Sequence, residues 1–416
     1  MLETLKKKPL RKPRGGLVML LGPAFVAAIA YVDPGNVAAN LTSGASYGYL
    51  LVWVLVAANV MAMLVQYQSA KLGVVTGKSL PEHLGLRFKT RTRRLYWLQA
   101  ELVAMATDLA EVVGGAIALH LLFQIPLPAG GLIVGIASMA LLSVQNRHGQ
   151  RHFESIIIFL LVIITVGFLA GLVLRPPDPA GVAGGLIPRF DGSNSVMLAA
   201  GMLGATVMPH AIYLHSQLSK DRHPDARNTP KRLRQIIQAT RVDVVLALIL
   251  AGAVNVGMLL LAASTLGGTS GTDSIEGAHA AIVGSLGPAI GVIFAVGLLA
   301  SGLASTSVGA YAGATIMNGL LHIRIPLMAR RLVSLIPAII LLWAGVDPTW
   351  ALIVSQIVLS FGIPFALIPL LRLTASRKVM GEHRDGLPLR LAALVSVILI
   401  VALNALLLWL TFSGQA

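Results

Sequence analysis

"AYVDPGNVA", residues 30–38, sets the architecture. The chain around it is apolar from Leu17 to Ala39. A stretch of that kind reads as a membrane helix, yet Asp33, Pro34, Gly35 and Asn36 stand at its middle, where such a helix takes leucines. Proline removes a backbone donor and stops a continuous helix, and glycine permits the unusual turn that follows. Carbonyls freed there cannot be satisfied by lipid and need a buried partner. The half-helix before the break also points the negative end of its dipole into the centre. Those groups, with the Asp33 carboxylate and the Asn36 amide oxygen, ask for a cation. The span is broken to build a cation site.

The rest of the chain fits a protein that lives in lipid. Its 416 residues are 56% hydrophobic and 12% charged, with mean hydropathy +0.80, where soluble domains carry about 25% charged residues. The deficit extends over the whole length, so the fold class is an all-α polytopic membrane protein with a single domain, 1–416. Eleven apolar segments approach the ~20 residues that cross a hydrocarbon core: 17–44, 47–73, 94–122, 126–145, 153–175, 195–218, 239–264, 288–319, 329–346, 348–373 and 388–412. Residues 274–287 predict a short extra helix outside the bilayer. Cysteine is absent, which excludes disulfides and thiolate metal sites. The N-terminal "KKKPLRKPRGG" before an apolar run has the look of a signal peptide. The run lacks a small-residue cleavage site and contains the break, so it reads as a tail, 1–16, and a first span.

The net charge of +15 has a membrane explanation. With the N-terminus in the cytoplasm and the spans alternating, 30 of the 32 Lys and Arg residues fall on the cytoplasmic side, leaving only Arg175 and Arg189 outside. That asymmetry predicts N-in, C-out. The basic residues set orientation and meet anionic lipid, so no nucleic-acid partner is implied, and no obligate protein partner is evident. "GVVTGKS", 73–79, resembles a phosphate-binding loop, but it has three residues between the glycines instead of four and follows a membrane helix, not a strand. No HExxH zinc motif is present.

A second break lies in span six, "GATVMPHAIYLHS" at 204–216, where Pro209 stands between Met208 and His210. Spans one and six are five spans apart. Five is odd, so a second five-span unit is inserted upside down. Interrupted helices at matching positions of two inverted repeats point to a transporter's substrate site. The repeats are expected at 17–175 and 195–373, with 388–412 as an accessory helix. Pro34, Gly35 and Pro209 are the expected helix breaks. Each proline could instead merely kink its helix, but the polar residues flanking both argue against that. Asp33 and Asn36 offer hard oxygens, and Met208 offers a soft thioether. Oxygen cages suit magnesium and calcium, thioethers suit softer ions, and the mixture argues for a divalent first-row metal. Core packing is the alternative role for Met208.

Span three carries Glu101, Asp108 and Glu111 at i, i+7 and i+10, on one helical face. A charge at the bilayer centre costs ~2.5–3.5 kcal/mol on insertion scales, so three acids on one stripe need a role. They can pair with arginines, for which Arg330 and Arg331 at the start of span nine are the candidates. They can relay protons, since burial and a neighbouring guanidinium tune a carboxyl in opposite directions. Both roles can coexist. His210 and His215 lie five apart, about 140° around a helix, and so face different surroundings. His210, beside the break, is the candidate for proton handling; His215 reads as structural. No histidines cluster as metal ligands. Asn255, a lone amide in an apolar helix, reads as glue between helices.

"GPAFVAAIAYVDPGN" and "GATVMPHAIYLHS" resemble the first- and sixth-helix signatures of the Nramp family of proton-coupled divalent metal transporters. The resemblance runs through nearly the whole chain, including "ELVAMATDLAEVVGGA", "RRLVSLIPA" and "SQIVLSFGIPFALIPL". It is close to the bacterial manganese transporters of that family. It implies a LeuT-like 5+5 inverted repeat, a place in the bacterial cytoplasmic (inner) membrane, no enzymatic activity and no resident cofactor. It also implies symport of manganese(II) with protons, with iron(II), cobalt(II) and cadmium(II) as co-substrates. The ligands it implies are Asp33, Asn36 and Met208 with the backbone carbonyls of Ala30 and Ala205. Gln356 matches a position that approaches the metal in some states. The acids and arginines matching Asp108, Glu111, Arg330 and Arg331 line a proton route in the family, which favours a relay through them, through Asp33 and His210, and through Glu101. One departure is Ala211, where many members have asparagine. An amino-acid symporter on the same broken-helix scaffold is the competing reading; it would need half-helix N-termini and small residues facing a carboxylate. A passive channel fits the inverted breaks less well.

Overall fold

The structure is a computed structural model that describes residues 22–413 except 149, 268–270, 273 and 324. The expected tail, 1–16, and the start of the first span lie outside the described residues. In chain order the helices are α1 (Pro23–Ile29), α2 (Pro34–Tyr47), α3 (Val52–Thr76), α4 (Leu80–Arg87), α5 (Thr90–Phe123), α6 (Leu127–His148), α7 (Gln150–Leu174) and α8 (Pro179–Gly185). There follow α9 (Gly192–Thr206), α10 (Pro209–Arg222), α11 (Pro230–Thr265), α12 (Ile275–Leu286), α13 (Pro288–Leu321), α14 (Leu327–Trp343), α15 (Pro348–Ala375), α16 (Arg377–Met380) and α17 (Leu387–Phe412). No strand occurs among the described residues.

Each of the eleven apolar segments coincides with a helix or, in spans one and six, with a pair of half-helices. Among the described residues eight helical stretches are long and apolar enough to cross a membrane, α9 and α10 together forming one of them. Spans one, four and nine rest on shorter pieces: Pro23–Val32 leading into α2, Leu127–Ser143 within α6, and the 17 residues of α14. The expected extra helix is α12, opened by Ser274, whose side chain accepts from the Gly277 N–H. The phosphate-loop look-alike is a helix–turn–helix corner. Gly73–Thr76 belong to α3, Gly77 ends it at φ 65°, and Ser79 opens α4 with Glu82 in a capping box. No loop is left there to cradle a phosphate.

The packing carries the symmetry that the two breaks imply. α2 packs on α11 as α10 packs on α3, and α1 packs on α11 as α9 packs on α3. α5 meets α15 as α13 meets α7, and α5 meets α6 as α13 meets α14. The pairs that such an axis maps onto themselves, α3 with α11 and α5 with α13, are both in contact. α17 stands outside this pattern, against α15, α9 and α3. Exposed apolar side chains such as Leu132, Ile136, Val162, Ile249, Ile340 and Ile398 line the outside of the bundle, whereas Asp33, Asp108, Glu111 and Arg331 are buried. That distribution reverses a water-soluble protein and is the one lipid demands.

Candidate functional site

The breaks form where the backbone rules place them, one residue earlier than the prolines and glycine themselves. α1 stops at Ile29 and tightens into a 3₁₀ turn, Ala30–Val32. Asp33 is extended at φ −73°, ψ 166°, and Pro34 is the first residue of α2. In span six, Val207 and Met208 leave the helix, Met208 at φ −69°, ψ 120°, and Pro209 opens α10. A proline pushes the residue before it out of the helical region and is itself at home in the first turn of a helix. Pro34 and Pro209 therefore cause the breaks but begin the second halves.

Gly35 needs a correction. It lies inside α2 and makes no unusual turn. What it supplies is room: a Cβ there would collide with the Gln356 side-chain amide. That amide, from α15, rests on the bare glycine and donates to Asp33 Oδ2 at 3.3 Å.

Asp33 and Asn36 are locked together. Asp33 Oδ1 accepts from the Asn36 backbone N–H at 2.9 Å and from Asn36 Nδ2 at 2.8 Å. The same Nδ2 donates across to the Ala205 carbonyl at 2.9 Å, which ties the first break to the second. Asn36 Oδ1 is then a buried amide oxygen with no partner among the described residues, and so is Gln356 Oε1. Native structures rarely leave such atoms unpaired without a reason. Met208 caps α10 and is wholly buried, three residues beyond Ala205. Ala30 stands in the unwound turn of span one. Both breaks expose a negative helix end from α1 or α9, as expected, but also the positive ends of α2 and α10. The Asp33 carboxylate occupies the positive end of α2, which favours its charge.

The acids of α5 share one face, as their spacing requires. Arg330 Nη2 meets Glu101 Oε1 at 2.6 Å, and Arg330 Nη1 stands 3.9 Å from Asp108 Oδ2. Arg331 Nη1 lies 3.3 Å from Asp108 Oδ1, while its Nε donates to Ser138 Oγ at 3.1 Å. Glu111 differs in making no ion pair among the described residues, and its carboxyl is buried over Gly309 of α13. His210 Nδ1 lies 3.3 Å from Thr107 Oγ1, beside Asp108 in sequence. Thr107 thus links the span-six break to the acidic face. Sequence reading misses it, although a hydroxyl next to an intramembrane acid is a signal.

His215 faces elsewhere, as its spacing predicts. Its Nδ1 lies 2.8 Å from Gln66 Oε1, and Gln66 in turn donates to the Tyr31 hydroxyl. Asn255 bridges helices: its Oδ1 accepts from Asn40 Nδ2 at 3.1 Å and its Nδ2 donates to the Tyr31 carbonyl at 2.6 Å. Gln66, Tyr31 and Asn40 also escape the sequence reading. The signal for Gln66 is the polar run Gln66, Gln68, Ser69 and Lys71 inside an apolar span. Among the described residues no group of three or more His, Cys, Asp or Glu side chains could hold a metal. A cation held here would take oxygen and sulfur donors, from one carboxylate, amides, carbonyls and a thioether.

A family model, Nramp, natural resistance-associated macrophage protein-like, matches residues 24–410. The chain belongs to the Nramp family. It is 58% identical over 395 residues, 95% of this chain and 92% of the relative, to a "Divalent metal cation transporter MntH" of Mycobacterium tuberculosis. It is 45% identical over 406 residues, 97% of this chain and 92% of the relative, to a protein of the same name from Deinococcus radiodurans. Among solved structures, a manganese transporter of Eremococcus coleocola superposes with TM-score 0.85 at 32% identity, over 95% of this chain and 88% of that one. The nucleobase-cation symport transporter Mhp1 shares the fold at TM-score 0.59 and 15% identity, over 94% of this chain and 93% of that one. The Nramp chain is therefore an integral membrane transporter and not an enzyme, with a LeuT-like fold of two inverted five-helix repeats.

Proposed function

We propose that this Nramp chain imports divalent transition metal, manganese(II) foremost, with iron(II), cobalt(II) and cadmium(II) as co-substrates, coupled to inward proton flow by alternating access. The observation that carries the reading is the unpartnered Asn36 Oδ1, buried beside the Asp33 carboxylate at the meeting of two broken helices. In this reading Asp33, Asn36 and Met208 bind the ion with the carbonyls of Ala30 and Ala205, and Gln356 stands close enough to join them. The names of the relatives support metal as the cargo. The pairing of Asp108 with Arg331, the Thr107–His210 contact and the buried Glu111 carboxyl support a proton route that begins at Asp33, which it shares with the metal, and runs through His210, Asp108 and Glu111 to Arg330, Arg331 and Glu101. The protein sits in a bacterial inner membrane with its N-terminus inside and C-terminus outside, its basic face against anionic lipid. Residues 17–175 and 195–373 form the two repeats, and no resident cofactor is needed.

The decisive experiment is uptake into proteoliposomes. Manganese should accumulate with an acid exterior and an inside-negative potential, and acidification of the lumen should accompany it. Calorimetry should give heat with manganese and none with amino acids. Absence of manganese uptake, or binding of an amino acid instead, refutes the reading.

A further inference from the structure

Span ten, α15, contains two internal prolines, Pro364 and Pro369. A helix carbonyl normally accepts from the N–H four residues ahead, and proline has none to give. The carbonyls left without their donors are those of Ser360 and Phe365. In a membrane the missing donors must come from within the protein.

Both carbonyls are served, from three other helices. Asn404 Nδ2 of α17 donates to the Ser360 carbonyl at 2.9 Å, and Ser360 Oγ donates back to Asn404 Oδ1 at 2.8 Å. Asn404 and Ser360 are both buried. The Tyr96 hydroxyl of α5 donates to the Phe365 carbonyl, and the Tyr213 hydroxyl of α10 lies 3.4 Å from the same oxygen. Ser360 is one helical turn beyond Gln356, the residue whose amide reaches Asp33. That turn is also held from the other side. A Cβ on Gly204 of α9 would collide with the Gln356 carbonyl and stand 2.9 Å from Ser360 Cβ. The stretch 356–360 is therefore gripped between α9 and α17.

We infer that Asn404 and Tyr96 are positioning residues for transport. Each clamps a proline-vacated carbonyl of α15, and the Asn404 clamp sets the reach of Gln356 toward Asp33. On this inference α17, which lies outside both repeats, braces span ten one turn from the transport site. The inference rests on the proposed metal reading only in what Gln356 is positioned for. The clamp itself stands on the prolines and their partners.

The test is a double-mutant cycle on the full chain, read by manganese binding and by thermal unfolding. Asn404→Leu should weaken manganese binding roughly 2- to 10-fold, the worth of one such hydrogen bond. Pro364→Ala restores an N–H for the Ser360 carbonyl, so in that background Asn404→Leu should cost less than about 2-fold, a coupling of the size that contacting residues show. In a Gln356→Ala background, Asn404→Leu should leave binding unchanged, which a merely structural role would not produce. Tyr96→Phe with Pro369→Ala forms a second, gentler cycle should Asn404→Leu fail to fold. Strict additivity of unfolding temperatures in both cycles overturns the clamp. An undiminished effect of Asn404→Leu without Gln356 overturns its action on the site. Absence of manganese binding in the parent chain refutes the transport reading, and the unfolding cycles still decide the clamp.

Discussion

Asp33 serves two structural ends with one carboxylate. It caps the N-terminus of α2 through the Asn36 N–H and, among the described residues, brings a carboxylate to the place where the breaks meet. Asp33→Ala should therefore abolish manganese binding, by roughly 100-fold or more since even outer partners of metal ligands are worth ~10–100-fold. The Pro34 start of α2 keeps the half-helix, and size-exclusion chromatography should show folded protein. Unchanged affinity by calorimetry would place the site elsewhere. Met208 tests why soft and hard donors are mixed. A thioether offers little to calcium or magnesium while engaging a transition metal, so as a proposed ligand Met208 would select by serving the common ions badly. Met208→Ala leaves space for a water oxygen. Manganese uptake should persist at lower affinity, cadmium should lose more, and calcium or magnesium should begin to compete. If competition assays show the variant rejecting those ions as well as the parent does, Met208 only fills space and cavity shape selects.

Among the elements, α5 carries the most charge into the bundle. Its acid stripe is matched to α14 by Arg330 and Arg331, and to α10 by the Thr107–His210 contact. Asp108→Asn keeps the shape and one acceptor but cannot carry a proton. Metal binding should survive, since Asp108 lies outside the proposed ligand set, while manganese-driven acidification of proteoliposomes should fall at least tenfold, within the usual worth of a positioned proton-transfer group of ~10²–10⁴. Unchanged proton flux and pH dependence in that variant would make Asp108 purely structural. The loop helix α4 offers a simpler titration. Burial works against the charged form of Glu82, but the Lys220 hydrogen bond at 2.7 Å and the Ser79 N–H at 2.7 Å hold the carboxyl below its ordinary value. A depressed folded value means stability that is present above the unfolded value of 4.5 and lost as pH falls through the lower, folded one. The pair is part-exposed, so its worth is at most ~1 kcal/mol. Glu82→Gln should lower the unfolding temperature slightly near neutrality and leave it unchanged at strongly acidic pH, as scanning calorimetry can measure.

For the whole molecule, the two breaks, the symmetric packing and the distribution of basic residues make one arrangement. The charge asymmetry predicts the N-terminus and the α4 corner inside, with the α8 connection outside. The chain has no cysteine, so single introduced cysteines report topology without a background. Lys89→Cys, at an exposed position before α5, should be labelled by a membrane-impermeant maleimide only after cells are opened. Ala183→Cys, exposed on α8, should be labelled in intact cells. The reverse pattern would invert the assigned orientation. In the structure Asp33, Asn36, Met208 and Gln356 are all fully buried. The proposed alternating access would require the half-helices to part from their neighbours in turn.

The membrane class, the span positions, the two breaks and the stripe of acids are all legible in the amino-acid order. Each is a property of neighbouring residues: apolar length, the exclusion of helix before a proline, and helical spacing. The DPGN break is readable locally for Asp33, Pro34 and Asn36, because capping and proline chemistry act within one turn. It is not readable for Gly35. Its missing Cβ makes room for Gln356 of span ten, and no local pattern encodes that approach. Thr107 with His210, Gln66 with His215 and Tyr31, and Asn404 with the carbonyl that Pro364 vacates are of the same kind. Lone polar residues in apolar spans mark themselves as needing partners, because lipid supplies none. Which partner each one finds depends on how helices distant in sequence cross, and that is settled by the packed bundle.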